Sequence, residues 1–230
     1  MNGIIVLNKP KGITSHDVVY RVRKKFNIKK VGHAGTLDPL ATGVLVLLLG
    51  KSTKLSNEFI DFDKAYSSTL LLGTDTDSSD TLGEIISSKP FDNITETQVE
   101  DALLKFKGEI NQVPPMFSAV KIKGKKLYEW ARKGIDVDRP SRKVFIKQIF
   151  IQDFQLPYVR FYLECSKGTY VRQLAKDIGI ALECGACISQ IERVRVGPFK
   201  IEDAVNIDQL NETHILNWKE EGNCCEKNFC

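Results

Sequence analysis

Apolar positions recur with two different periods along this chain. Val18, Val19, Val22 and Phe26 repeat at helical spacing while Arg21, Lys24 and Lys25 fall on other faces, which predicts an amphipathic basic helix. Ser15 stands before it as the expected N-cap. A second helical stripe runs through Val171, Leu174, Ala175 and Ile178, with Arg172 projecting from a different face near the N-terminal turn, where an arginine can reach into a cleft. Thr95 and Gln98 have capping-box spacing ahead of Val99, Ala102, Leu103 and Phe106, so a third helix is expected there. Val159, Phe161, Leu163 and Cys165 instead alternate with Tyr158, Arg160, Tyr162 and Glu164, the period of a strand with one buried face. The apolar runs at residues 4–7 and 44–49, and the segment Thr69–Leu72, read as interior strands. The two kinds of element follow one another in mixed order without an internal repeat, which predicts an α+β fold.

Between these elements lie segments rich in turn formers. Asn8-Lys9-Pro10-Lys11-Gly12 follows the first strand, and residues 112–144 carry lysine, arginine, glycine and proline with Tyr128 and Trp130 interleaved. The latter reads as a mobile basic arm of the kind that contacts RNA.

Composition narrows the classes without choosing among them. Of 230 residues, 42% are hydrophobic and 27% charged, a globular balance with enough chain for a sizeable core. No apolar run approaches the length of a membrane span, and the first eleven residues lack the pattern of a signal peptide, so a cytoplasmic protein is expected. Six cysteines, with Cys224, Cys225 and Cys230 near the end, suit a reducing compartment. The net charge is +4, but residues 201–230 carry seven acidic and two basic side chains, leaving +9 on the first 200. That basic portion is either a solvated face or a phosphate-binding one.

Three places carry residues with possible chemistry. Cys184 and Cys187 have metal-like spacing, yet a structural zinc site needs four ligands and no second pair stands nearby, so no metal is expected. Asp75 and Asp77 weakly resemble the paired aspartates of magnesium-dependent phosphatases, but Gly73 and Thr74 beside them point to a turn. The third is GHAGTLDPLATGVL, residues 32–45, in which Asp38 follows glycines and precedes Pro39. Glycine permits close approach of a ligand or backbone, and proline biases the preceding residue toward extended geometry, so a carboxylate can be held on a tight, accessible loop. An aspartate before proline also braces turns, and the loop alone leaves both uses open.

The segment as a whole resembles the catalytic motif of the bacterial tRNA pseudouridine-55 synthase family, TruB. Further stretches match in order: IVLNKPKGITS at residues 5–15, Lys64-Ala65-Tyr66, QVPPMFSAVKIKGKKLYEWARKG at 112–134, CSKGTYVRQLAKDIG at 165–179, and Arg193-Val194-Arg195-Val196-Gly197-Pro198-Phe199. The resemblance covers roughly residues 3–210. It implies the pseudouridine synthase fold, a central, largely antiparallel mixed sheet flanked by helices and loops. It further implies isomerisation of a uridine at position 55 in the T loop of tRNA, with Asp38 as the catalytic carboxylate. By the same resemblance Tyr66 stacks on the flipped base, Tyr170 and Ile191 line its pocket, Arg172 pairs with the aspartate, His33 supports the RNA where the base has left its stack, and Lys9 holds Tyr66 or the surrounding loop. Each of these residue types also has an ordinary structural use, in core packing, surface ion pairing or exposure.

The implied reaction involves neither redox chemistry nor group transfer, so no cofactor is expected. An ordinary aspartate, with a pKa of about 3.9, is ionised at neutral pH and needs no partner to deprotonate it. Residues 1–210 are expected to form the catalytic domain, with 211–230 a short acidic tail in place of the PUA-type domain many members carry. Cys187 stands where the family commonly has histidine. The expected partner is the T arm of tRNA, with no membrane, no obligatory protein partner and a monomeric state. The alternative is a tRNA-binding or tRNA-folding module with little turnover.

Overall fold

A computed structural model of the protein describes residues 1–122 and 124–218. The chain runs through β1 (Gly3–Lys9), α1 (Ser15–Phe26), β2 (Val31–His33), β3 (Thr42–Leu49), α2 (Ser56–Asp61), β4 (Lys64–Leu72), β5 (Thr74–Thr76) and β6 (Ile85–Ser88). It continues through α3 (Glu96–Leu104), β7 (Gly108–Gln112), β8 (Lys121–Ile122), β9 (Lys125–Lys126), α4 (Leu127–Ala131), β10 (Arg142–Gln155) and β11 (Tyr158–Cys165). The last elements are α5 (Val171–Ala181), β12 (Ala186–Val196), β13 (Phe199–Lys200) and β14 (Val205–Asn206). Ten strands among the described residues belong to one mixed sheet, and the class is α+β as the periodicities predict. By packing, the described residues divide into two units, Met1–Tyr66 with Glu192–Trp218, and Ser67–Ile191.

In the first unit β1 pairs antiparallel with β3 over its whole length, from Gly3 opposite Leu49 to Lys9 opposite Gly43. β12 adds to the other edge of β3 in parallel, with Glu192 opposite Thr42 and Arg193 opposite Gly43. The continuous apolar run of β3 is explained by burial on both faces, since every residue from Gly43 to Leu49 is buried. One face packs Ile4, Val6, Val44, Val46 and Leu48 against Phe59, Val196 and Phe199. The acidic C-terminal segment begins as part of this core. Leu216 exchanges two backbone hydrogen bonds of 2.9 Å with Ile4. The Trp218 ring lies 5.0 Å from Phe59 and 5.5 Å from Phe199. Cys224, Cys225 and Cys230 lie outside the described residues.

In the second unit β10 pairs antiparallel with β11 and β7. Val159, Phe161, Leu163 and Cys165 are buried along β11, and Thr95 with Gln98 forms the expected capping box on α3. Among the described residues of 112–144, β8 and β9 pair antiparallel and α4 follows, with Lys125 5.0 Å from the Trp130 ring centre and Arg132 5.4 Å from that of Tyr128. Asp77 accepts a 2.9 Å bond from the Glu84 amide across the β5–β6 hairpin, the turn role its glycine neighbour suggests. Cys184 and Cys187 are both buried, and burial pushes the Cys187 thiol up to about 11, with Asp80 adding to the effect. Among the described residues no helix is long and apolar enough to cross a membrane.

The start of α1 departs from expectation in an instructive way. Thr14, not Ser15, is the N-cap: its side chain accepts from the Asp17 amide at 3.0 Å while Asp17 accepts from the Thr14 amide at 2.8 Å, a reciprocal capping box. Ser15, one residue further in, turns its buried hydroxyl away from the helix. It donates to the Leu37 carbonyl at 3.0 Å and accepts from the Leu37 amide at 2.9 Å. Ser15→Ala leaves both buried backbone groups of Leu37 without their partner and is expected to cost about 2 kcal/mol. Thr14→Ala, which removes an exposed cap, is expected to cost about 1 kcal/mol. Urea denaturation of the two variants side by side checks the order.

Candidate functional site

The connection from β2 to β3 carries Asp38, and its geometry follows from short-range chemistry. Asp38 and Pro39 occupy the first two positions of a turn closed by the Ala41 amide, 3.0 Å from the Asp38 carbonyl. Three tethers hold this turn within its own unit. Ser15 holds Leu37 on one side of Asp38, and the Gly12 amide donates to the Pro39 carbonyl at 2.8 Å on the other. The Ala34 amide donates to Val46 at 2.9 Å where the connection leaves β2. The carboxylate is thus half-buried on a backbone fixed from both sides.

Lys9 ends β1 and is completely buried. Its ammonium donates to the Pro10 carbonyl at 2.9 Å and the Ile13 carbonyl at 2.8 Å, closing the loop whose Gly12 amide grips Pro39. Of the two tasks expected of Lys9, its bonds are to the loop. Burial lowers its pKa to about 8, opposed by the Asp38 charge and reinforced by Arg193. His33, at the end of β2, is half-buried, and its Nδ1 has no hydrogen-bond partner among the described residues. Burial, with the Arg193 and His16 charges, holds its pKa below the ordinary histidine value. Tyr66 is buried near the start of β4.

The residue that the motif survey passes over is Arg193. Its guanidinium is buried, donates through Nε to Val44 at 2.8 Å and through Nη2 to Gly35 at 3.2 Å, and interacts with the Tyr66 side chain. Burial lowers its pKa from the ordinary arginine value, while Tyr66 and Asp38 act to raise it. The signal in the sequence is its place in the Arg-Val-Arg-Val-Gly stretch, read as a family match without a role.

Tyr170, Arg172 and Ile191 belong to the second unit. Tyr170 is the N-cap of α5 and is pinned by Gln112, which accepts from the Tyr170 amide at 2.7 Å and donates to its carbonyl at 3.1 Å. Arg172, expected on a different face of α5 from the apolar stripe, is buried. It donates to the Ser78 carbonyl at 2.9 Å and the Phe117 carbonyl at 2.7 Å, with Asp80 at 3.7 Å as an ion-pair partner. Ile191 is buried on β12.

Residues 23–171 match the model of the TruB family pseudouridylate synthase N-terminal domain, and residues 172–224 match that of the tRNA pseudouridylate synthase B C-terminal domain. The chain belongs to the TruB family. It is 48% identical to the tRNA pseudouridine synthase B of Clostridium tetani, over 94% of this chain and 74% of that protein. To the protein of the same name from Endomicrobium trichonymphae it is 46% identical, over 89% of each. Among solved structures it is similar to a chain of a Cbf5-Nop10-Gar1 complex, with a TM-score of 0.72 and 32% identity over 90% of this chain and 53% of that one. A chain of an H/ACA RNP bound to a substrate RNA containing 2′-deoxyuridine gives 0.68 and 29%, over 90% and 52%. This TruB-family chain therefore spans about half the length of those two, and its fold is the pseudouridine synthase fold.

The lowered pKa of Lys9 has a stability consequence. Between pH 8 and 10.5 the folded chain has released the Lys9 proton while the unfolded chain still holds it, so unfolding takes up a proton and stability rises with pH in that window. Lys9→Met, which cannot titrate, lacks this rise. Wild type is expected to gain up to about 3 kcal/mol on Lys9→Met from pH 7.5 to 10.5, measured by urea unfolding at each pH. A flat difference means that the buried ammonium keeps its ordinary proton affinity.

Proposed function

We propose that the chain isomerises uridine to pseudouridine at position 55, in the T loop of tRNA, with Asp38 as the catalytic carboxylate. The observation that carries this reading is an accessible aspartate on a turn held from both sides, in a chain belonging to the TruB family and aligned closely with proteins named tRNA pseudouridine synthase B. In the reaction the bond from C1′ to N1 of the uracil breaks, the base turns, and C1′ joins C5. The C5 proton is lost and N1 gains one, so product and substrate have the same composition and nothing is oxidised. A carboxylate oxygen can attack either C1′ or the ring, and both routes need it fixed against the substrate.

A stacked uracil exposes neither atom to a side chain, so the base must leave the loop. In this reading Tyr66 stacks on it, Tyr170 and Ile191 contact it, and His33 supports the RNA left behind. Arg172 acts as a supporting cation and Lys9 as a brace of the Asp38 turn. Residues 1–210 act as the catalytic body, with the basic stretch 112–144 gripping tRNA phosphates. The enzyme works in the cytoplasm as a monomer, without cofactor, metal or obligatory protein partner.

The test is an unmodified tRNA transcript incubated in EDTA with purified wild type or Asp38→Asn, pseudouridine being mapped by chemical labelling and primer extension. Wild type is expected to modify the T-loop uridine, and Asp38→Asn to bind the tRNA comparably while losing at least about 10⁴-fold in rate. If both bind and neither reacts, the tRNA-binding reading replaces this one.

A further inference from the structure

We infer that Arg193 is a positioning residue for this reaction, holding the Asp38 loop at both of its ends and the Tyr66 hydroxyl with it; the inference rests on the function proposed above. The side chain reaches the start of the loop, where Nη2 donates to the Gly35 carbonyl at 3.2 Å and Nη1 lies 3.5 Å from that of Thr36. Nε holds the far end through the Val44 carbonyl at 2.8 Å. The backbone of the same residue pairs with Gly43. Residues 35–43, with Asp38 among them, are therefore clamped at each end by one amino acid.

The approach at the far end is closer than any side chain allows. Gly43 has φ 99°, and a Cβ there would collide with the Arg193 carbonyl oxygen and stand 2.8 Å from its amide nitrogen. The same guanidinium interacts with the Tyr66 side chain, so the residue that clamps the Asp38 loop also acts on the aromatic ring proposed to stack on the base.

An ordinary structural role explains this poorly. A side chain needed only for packing would be apolar, because a buried guanidinium costs desolvation energy. One needed only to neutralise charge would contact a carboxylate, and among the described residues Arg193 forms no ion pair. Its N–H groups go to carbonyls of the Asp38 loop and of β3. Lysine would keep the charge but cannot span these acceptors with a rigid planar fork.

The experiment compares wild type, Arg193→Lys and Phe199→Leu in single-turnover modification of unmodified tRNA, with tRNA affinity and melting temperature measured for each. Phe199 belongs to the aromatic cluster with Phe59 and Trp218 and serves as the purely structural control. Arg193→Lys is expected to slow the chemical step about 100-fold while tRNA affinity changes less than about threefold. Phe199→Leu is expected to lower the melting temperature yet keep the rate within about threefold of wild type. Arg193→Lys at the wild-type rate overturns the inference, as does an equal loss of rate in Phe199→Leu.

Should Arg193→Lys not fold, Tyr66→Phe carries the test. It removes only the hydroxyl that Arg193 holds, and is expected to lose about tenfold or more in single-turnover rate. A wild-type rate there overturns the inference. A wild type inactive on tRNA takes down the proposed function and this inference together, whereas an active wild type with an equally active Arg193→Lys takes down this inference alone.

Discussion

A buried guanidinium is tolerated only where enough oxygen atoms surround it to replace the water it has lost. In this chain Arg193 meets that condition with backbone carbonyls of Gly35 and Val44 and with Tyr66. The constraint runs in both directions. The carbonyls are available because the Asp38 loop and β3 lie where they do, and they stay there because moving them would strand a charge in the core. Few interactions in a protein are as intolerant of slack, since the penalty for an unsatisfied buried cation exceeds that for a lost apolar contact several-fold.

Two other ionisable groups of the first unit, Lys9 and His33, sit in the field of this cation. Lys9 gives up part of its proton affinity to burial beside it, and His33 is biased toward its neutral form. Lys9 shows how the burden is shared. Its two bonds go to Pro10 and Ile13, so it organises the turn that holds Pro39 from outside. The backbone around Asp38 thus rests on two buried cations satisfied largely by main-chain oxygen.

What could be read in the sequence was local. The stripes of α1 and α5, the alternation of β11 and the box at Thr95 and Gln98 each arise from neighbours within one or two turns, and each appears in the structure as read. The errors arise where a distant group wins a residue that local rules assign elsewhere. Ser15 has the chemistry of a cap, but Leu37 supplies both a donor and an acceptor, and Thr14 can cap in its place. Arg193 alternates with Val194 and Val196 along β12, and it is buried through bonds to Val44 and Gly35, 149 and 158 positions away. Gln112 and Tyr170 meet across 58 residues, beyond the reach of any periodicity. Tyr66, Tyr170, Ile191, His33 and Lys9 stand out only because whole segments resemble a family, and the same resemblance decides between the two uses the loop leaves open for Asp38.

The first unit is assembled from the two flanks of a chain whose middle forms the second. The Gly35 carbonyl and its arginine are 158 positions apart. A ribosome adding roughly 5–20 residues per second needs on the order of ten to thirty seconds to cross that interval. Through all of it the newborn chain already carries its aspartate but not the clamp assigned to it. A polypeptide that stops short of Arg193 would therefore hold Asp38 in a slack loop.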